Sequence, residues 1–582
     1  MSKFSEKNGV EVPIYEWLGK MGWHCRTNDD LKVHARQFSN PIIDAILIER
    51  VAHLNQVSPE VAKRAVDTLK RTLDHPIVIE ANERFLNLLC NGVTLTIEGR
   101  DRTLKLVEFE NVWENDFAVT RQYWVQGVEL VKPDLVCLVN GIPLVPFEAK
   151  QRAQQNSDWM KGVRDLSLYE TKVPRFWAAN LFAVACNGRM ARYGVPGASS
   201  QQFAEWRDLS VHAAPGNPLA TPDPSFCTVS PDKDGRLQAE IPDWKKMMQT
   251  IVGLLQPSRV LDLLRHGVVF ERTQDRGTVN KIARYQQQRA AEKISARVEE
   301  ALEGDDTRAG QGVIWQTQGS GKSLTMVFTA YKLRGNPKLG DPTVYIVVDR
   351  KDLRTQLGDT FELCLFPNTE RPVSIPALRD RVKVRPSAVI ITTIQKFRDM
   401  QRDPDFKPDD RANVVVLIDE AHRTQYGSLN SELQAAFPEA KFFAFTGTPI
   451  PKTHRTFGAL KNGTLEAYLD RYSIKDAIDD KATVEVRYTF GPQEMWLDRE
   501  KLKQGWEEIT EDLDEDQKQA VQKRVQPWKE FLKDPIRIAT LAQDIADDFR
   551  GNVEPSGFKA QVVAADKEAC HLYYQALLSH FR

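Results

Sequence analysis

The sequence predicts a multidomain α/β protein, and three observations carry that expectation. At 582 residues the chain exceeds what one hydrophobic core holds, so roughly three or four domains are expected. From about residue 280 onward, short β-rich runs alternate with helical ones: VIW at 313, VYIVV at 344, AVIITT at 388, VVVLI at 414 and FFAFT at 442. Each run is apolar at consecutive positions, as strands of a parallel sheet covered on both faces by helices must be.

The elements follow in order. Strand-like and helical patterns alternate through residues 10–210. HAAPGNPLATPDPSFCTVSPDKDG, residues 212–235, then breaks them with Pro, Gly, Ser and Asp and reads as a boundary loop or linker. MMQTIVGLLQPSRVLDLLRHGVVFE follows with apolar residues at helical spacing, and its single Pro is expected to end or kink a helix. After the five strand-like runs, EMWLDREKLKQGWEEITEDLDEDQKQAVQKR reads as a solvated helix or helix pair. KAQVVAA at 559 is expected to open another strand, with a helix behind it.

Composition narrows the class. The 79 basic and 80 acidic residues cancel, so global charge argues neither for nor against a nucleic-acid partner, because a local basic channel can sit inside a neutral total. No apolar run approaches the roughly 20 residues that span a bilayer, and MSKFSEKNGVEVP lacks a signal-peptide core, so a cytoplasmic protein without membrane contact is expected. The seven cysteines are scattered without a Cys-x-x-Cys pair, which points to neither a disulfide framework nor a zinc site.

PDLVCLVNGIPLVPFEAK, residues 133–150, reads as a hairpin: two apolar runs flank Asn-Gly, a dipeptide that tolerates positive φ at both turn positions. Asp134 opens the first run and Glu148 and Lys150 close the second. These are charged ends reaching solvent, or they are a metal site. A strict two-residue loop puts Asp134 and Glu148 on opposite faces. A three-residue loop, or one β-bulge near Pro143 or Pro146, sets them directly across from each other, and this second register is the expected one. Glu148 and Lys150, two apart on a strand, then share Asp134's face.

QTQGSGKSLTM, residues 316–326, follows a short strand and opens a helical pattern. In such a loop the backbone amides of Gly319, Ser320 and Gly321 and the helix N-terminus cradle phosphates, Lys322 pairs with them, and the Ser323 hydroxyl joins a Mg²⁺ shell. The strict pattern has Gly at the first position, where this chain has Gln316. VVVLIDEAH then places Asp419 and Glu420 at the carboxyl end of a buried strand, where ligands bind in open α/β sheets. There Asp419 is placed to hold Mg²⁺ through water and Glu420 to polarise the attacking water. TGTP, residues 446–449, completes an ordered set whose spacing is highly specific.

Gly-Lys-Ser, Asp-Glu-Ala-His and Thr-Gly-Thr-Pro in this order resemble motifs I, II and III of superfamily 2 helicase-type translocases. GVIWQTQGSGKSLTM, VVDRKDLRTQ, ITTIQKF, IDEAHRTQYG and FTGTP more narrowly resemble the restriction (R, or HsdR) subunit of type I restriction-modification enzymes, as do NERFLNLLCNGV, NDFAVTRQYWVQG, KPDLVCLVNGIPLVPFEAK and ACNGRMARYG nearer the N-terminus. The resemblance implies a PD-(D/E)xK nuclease domain with Asp134, Glu148 and Lys150 on its signature positions, and a RecA-like motor lobe. It also implies that Gln287 contacts adenine and that Thr446 and Thr448 link ATP hydrolysis to DNA movement. The family carries Gln four residues before a helical tyrosine. This chain has Asp165 before Tyr169, which leaves the role of that position open.

The expected organisation is a nuclease domain over 1–211, a linker and connecting helices over 212–269, and a first RecA-like lobe over 270–490. A charged helical connector over 491–535 and the beginning of a second RecA-like lobe over 536–582 follow. The function implied is ATP-dependent translocation of duplex DNA coupled to Mg²⁺-dependent double-strand cleavage away from a site recognised by partner methyltransferase and specificity subunits. Two alternatives remain: a repair helicase-nuclease, and a DNA-bound ATP switch or remodeller whose nuclease hairpin is only structural.

Overall fold

The computed structural model describes residues 10–27, 30, 37–150, 159–209, 228–231, 237–240, 243–273, 277–304, 310–364, 366–402, 404, 406–421, 426–461, 464–485 and 532–581. Residues 1–484 form one compact unit and 485–582 a second. The boundaries expected near 211 and 269 therefore fall inside the first unit.

Its N-terminal sheet has six strands in spatial order β1 to β6: His24–Arg26, Phe117–Arg121, Leu135–Val139, Ile142–Ala149, Ala183–Cys186 and Ala191–Gly194. The pairs β1–β2 and β4–β5 are parallel and the others antiparallel. Both faces are covered. Leu135, Cys137, Val139, Val145, Phe147 and Ala149 enter one core, while Val136, Leu138, Ala183 and Ala185 enter another together with Trp159, Val163 and Leu166 of α1 (Trp159–Ser167). This is why β3 and β4 read as continuous apolar runs rather than as an alternating pattern.

The second sheet holds seven parallel strands: β7 Gln311–Gln316, β8 Thr343–Val348, β9 Thr369–Glu370, β10 Val389–Thr393, β11 Val414–Ile418, β12 Lys441–Thr446 and β13 Asp470–Tyr472. Their spatial order is β9-β10-β8-β11-β12-β7-β13. All five strand-like runs expected from the sequence are here, in the parallel sheet they predict. Because the strands are parallel, the chain leaves β7, β11 and β12 at one common edge of the sheet.

Two helices, α2 (Asp243–Leu254) and α3 (Pro257–His266), precede this sheet, and Pro257 is the first residue of the second, so the proline separates helices as expected. Met247, Met248, Ile251, Leu254, Leu255, Val260, Leu261, Leu263 and Leu264 are all buried in one hydrophobic core. That core also takes Phe147 from the first sheet and Ile346 from the second.

Between residues 210 and 242 only 228–231 and 237–240 are described, as a two-stranded hairpin. The charged stretch 494–530 lies outside the described residues. In the second unit the helix expected after 559 is present at Lys567–Phe581, but the strand at 559–565 is not formed. An apolar run becomes a strand only with a ladder partner, and the described residues of this unit otherwise form helices.

Candidate functional site

The hairpin turn has Asn140 at φ 51° and Gly141 at φ 77°, the two positive values a tight two-residue loop needs. Val139 pairs with Ile142 and Leu138 with Pro143, but Cys137 pairs with Val145, so Leu144 is an extra residue on β4. This bulge shifts the register, and Leu135 then faces Phe147. Carried one residue further, Asp134 stands across from Glu148. Side-chain alternation agrees: Leu135 and Phe147 point into the same core, which turns both carboxylates to the other face.

On that face the charged groups are tied together. The Ala149 amide donates to Asp134 Oδ2 at 2.7 Å, and Gln122 Nε2 donates to Asp134 Oδ1 at 3.2 Å. Lys150 Nζ lies 2.9 Å from Glu148 Oε2 and 2.7 Å from Asp165 Oδ2. The Tyr169 hydroxyl donates to Glu148 Oε1. Burial, with the Asp134 charge adding to it, pushes the Glu148 carboxyl up to about 7 in spite of Lys150 and Tyr169. Burial acts to lower the Lys150 ammonium, but Glu148 and Asp165 outweigh it and hold the lysine above its ordinary value.

The helix carrying Asp165 reaches the site because of one glycine. A Cβ on Gly162 would stand 3.1 Å from the Glu148 carbonyl oxygen and 3.3 Å from Ala185 Cβ, so α1 lies directly on β4 and β5. Asp165 sits three residues on, on the same side of the helix. Sequence reading left Asp165 and Tyr169 without a role and did not find Gln122 or Gly162. Gln122 has φ 53°, a backbone choice that nothing in its local sequence announces.

The residues offer a divalent cation two hard carboxylate ligands; burial first, and then the Asp134 charge, raise Glu148, and a cation would offset both. Among the described residues no group of three or more His, Cys, Asp or Glu side chains forms a metal cluster.

The second constellation lies at the common edge of the parallel sheet. Gly319 (φ 81°) and Gly321 (φ 87°) shape the loop after β7, and α4 (Lys322–Arg334) begins at the lysine. The Ser320 hydroxyl donates to the Thr317 carbonyl at 2.6 Å, and Ser323 lies in the first turn of α4. Gln316, which replaces the expected glycine, is fully buried behind the loop, where its Oε1 accepts from the Thr325 hydroxyl at 2.9 Å. Here the departure ties strand to helix. Gln287, near the start of α5 (Tyr285–Glu303), donates through Nε2 to the Gly321 carbonyl at 3.2 Å, and a Cβ on Gly321 would collide with it.

Glu420 Oε1 accepts from Lys322 Nζ at 2.6 Å, and the Glu420 amide donates to Asp419 Oδ1 at 3.0 Å. Glu420 has φ 52°, an uncommon left-handed conformation for a residue with a side chain, and such strain clusters at functional sites. A Cβ on Gly447 would lie 3.6 Å from Lys322 Nζ, which puts the third motif beside the lysine. Within that motif the Thr448 amide donates to the Thr446 hydroxyl at 3.1 Å. His422 lies outside the described residues.

A mixed sheet with a carboxylate–lysine hairpin, joined to a parallel sheet with a phosphate-loop sequence and an acidic strand end, defines the class: a multidomain-sized α/β protein with an ATPase-type parallel sheet. Residues 3–201 match the family described as type I restriction enzyme R protein N terminus, and residues 286–519 match SWI2/SNF2 ATPase. The endonuclease subunit of the type I restriction enzyme HindI from Haemophilus influenzae is 29% identical over 99% of this chain and 54% of its own length. The MjaIXP counterpart from Methanocaldococcus jannaschii is 25% identical over 98% of this chain and 54% of its own length. A solved HsdR-subunit fragment from Vibrio vulnificus covers 79% of this chain and 70% of its own at 15% identity and a TM-score of 0.32. The resemblance read from the motifs holds as a similarity: along nearly its whole length the chain is similar to endonuclease subunits of type I restriction enzymes. It spans about half the length of these curated relatives, 54% in both cases. No helix among the described residues is long and apolar enough to cross a membrane.

Proposed function

We propose that this chain carries the nuclease and the first motor lobe of a type I restriction endonuclease, which moves duplex DNA at the expense of ATP and cuts it away from the recognition site. The observation that carries the reading is the presence, in one chain, of two separate charged sites of complementary kinds. In the parallel-sheet site, Lys322 exchanges Glu420 for the β- and γ-phosphates, and the loop amides of Gly319, Ser320 and Gly321 hold them. Gln287 would contact the adenine, Ser323 and Asp419 are the residues that would hold the Mg²⁺ accompanying the nucleotide, and Glu420, freed from the lysine, would orient the attacking water.

In the hairpin site, Asp134 and Glu148 are the residues that would hold Mg²⁺, which supplies an activated water and neutralises charge on the scissile phosphate. Lys150 stabilises the phosphate as negative charge builds there, and Tyr169 fixes the orientation of the Glu148 carboxylate. Duplex DNA would be gripped through phosphates without sequence preference, so base recognition falls to partner specificity and methyltransferase subunits. The work is intracellular and the location cytoplasmic.

The test separates the two sites in the complete enzyme. Asp134→Ala is expected to abolish cleavage and leave ATP hydrolysis and translocation intact. Lys322→Ala is expected to lower ATP hydrolysis by about 10² to 10³-fold and to abolish cleavage with it. Normal cutting by Asp134→Ala would refute the hairpin assignment, and ATP hydrolysis surviving in Lys322→Ala would refute the motor assignment.

A further inference from the structure

We propose that Asp165 is the positioning residue for Lys150: it anchors the ammonium group so that Glu148 is free to turn both oxygens to a cation while the lysine stays at the reacting phosphate. This rests on the nuclease reading of the hairpin. Lys150 Nζ stands between two carboxylates, 2.9 Å from Glu148 and 2.7 Å from Asp165. Glu148 has competing obligations, since it also accepts from Tyr169 and lies across from Asp134. Asp165 differs from it: its side chain is 48% exposed and it comes from a helix rather than from the hairpin.

When Glu148 gives its oxygens to a divalent cation, Lys150 loses one of two anionic partners. A lysine side chain is a flexible four-carbon stem ending in a point charge, and without a second anchor it would spread over several rotamers. Asp165 supplies that anchor from outside the metal shell. An amide at this position could orient the ammonium through its carbonyl oxygen alone; a carboxylate adds charge, and a charge-assisted hydrogen bond is roughly twice as strong as a neutral one. An ion pair this exposed contributes little to stability, so Asp165 is a matter of orientation rather than of folding.

The experiment uses Asp165→Ala and Asp165→Glu. In the complete enzyme, Asp165→Ala is expected to cut DNA at least about tenfold more slowly at saturating Mg²⁺, with ATP hydrolysis unchanged. Asp165→Glu, which restores the charge, is expected to recover most of the rate. Mg²⁺ binding to this chain is measured by calorimetry in parallel. Asp165→Ala is expected to weaken it while Lys150 is present, and to have no effect in a Lys150→Ala background, because Asp165 acts through the lysine. A wild-type cutting rate in Asp165→Ala overturns the proposal. So does a defect that disappears entirely once Mg²⁺ is saturating, or a binding effect that persists undiminished without Lys150, since either would make Asp165 a ligand of the cation itself. Normal cutting by Asp134→Ala, by contrast, would remove the nuclease reading and not this assignment alone.

Discussion

At the scale of single residues, the proton affinity of Glu148 has a consequence for metal binding. Its carboxyl is held at about 7 against an ordinary 4.5, chiefly by burial and then by Asp134. A cation must displace that proton, so the apparent Mg²⁺ affinity of the hairpin should fall by about tenfold per pH unit below 7 and level off above it. Calorimetry on this chain at pH 6 and pH 8 checks this, and an affinity indifferent to pH, or a dependence unchanged in Glu148→Gln, would count against it. The same shift acts on the metal-free fold: a raised folded-state value means the folded state binds the proton more tightly, so the contribution of Glu148 to stability is fully present below about 4.5 and is lost as pH rises through 7. The charged types at 134, 148 and 150 were legible because core strands do not otherwise tolerate them. Gln122 and Gly162 were not, since a glutamine after a strand and a glycine in a helix have many ordinary uses.

At the scale of elements, the hairpin was legible as strand, turn and strand from its apolar runs and Asn-Gly, and the need for a bulge followed from where the charges had to meet. That Leu144 is the extra residue could not be read, because any position near the two prolines would restore the same register. The strand expected at 559 failed for a related reason: pairing is a property of two segments, and sequence shows one at a time. The turn itself can be tested with a matched pair of glycines. Gly141 and Gly99 both have φ 77°, but a Cβ on Gly141 would come within 2.9 Å of the Ile43 carbonyl oxygen, while around Gly99 nothing lies within 4 Å. Gly99→Ala should therefore cost only the conformational penalty of about 1–2 kcal/mol. Gly141→Ala should cost that plus the clash with backbone, and a denaturant midpoint equal for the two variants would show that the close approach carries no energy.

At the scale of the whole molecule, the connecting helices expected over 212–269 are present as α2 and α3, and what the sequence did not show is that they pack into a core together with residues of both sheets. The composition of 212–235 does mark a break, but the helices after it are amphipathic toward a core that both sheets share. Buried polar contacts add to that core: Trp23 Nε1 donates to the Leu255 carbonyl at 2.9 Å, the Tyr193 hydroxyl to the Ala283 carbonyl at 2.9 Å, and Asn280 Nδ2 to Asn82 Oδ1 at 2.9 Å. Opening either sheet alone would strand these donors and acceptors and expose the common apolar surface, each of which is costly. Residues 1–484 should accordingly unfold as one cooperative unit. Nucleotide at about 100 times its Kd stabilises the form that binds it by about 2.7 kcal/mol. In hydrogen exchange with ADP as the probe, amides of β3 and β4 should gain the same protection as those of β8 and β11, although the nucleotide touches neither β3 nor β4. Protection that rises only in the parallel sheet would mean that the two sheets open independently and that the shared core does not couple them.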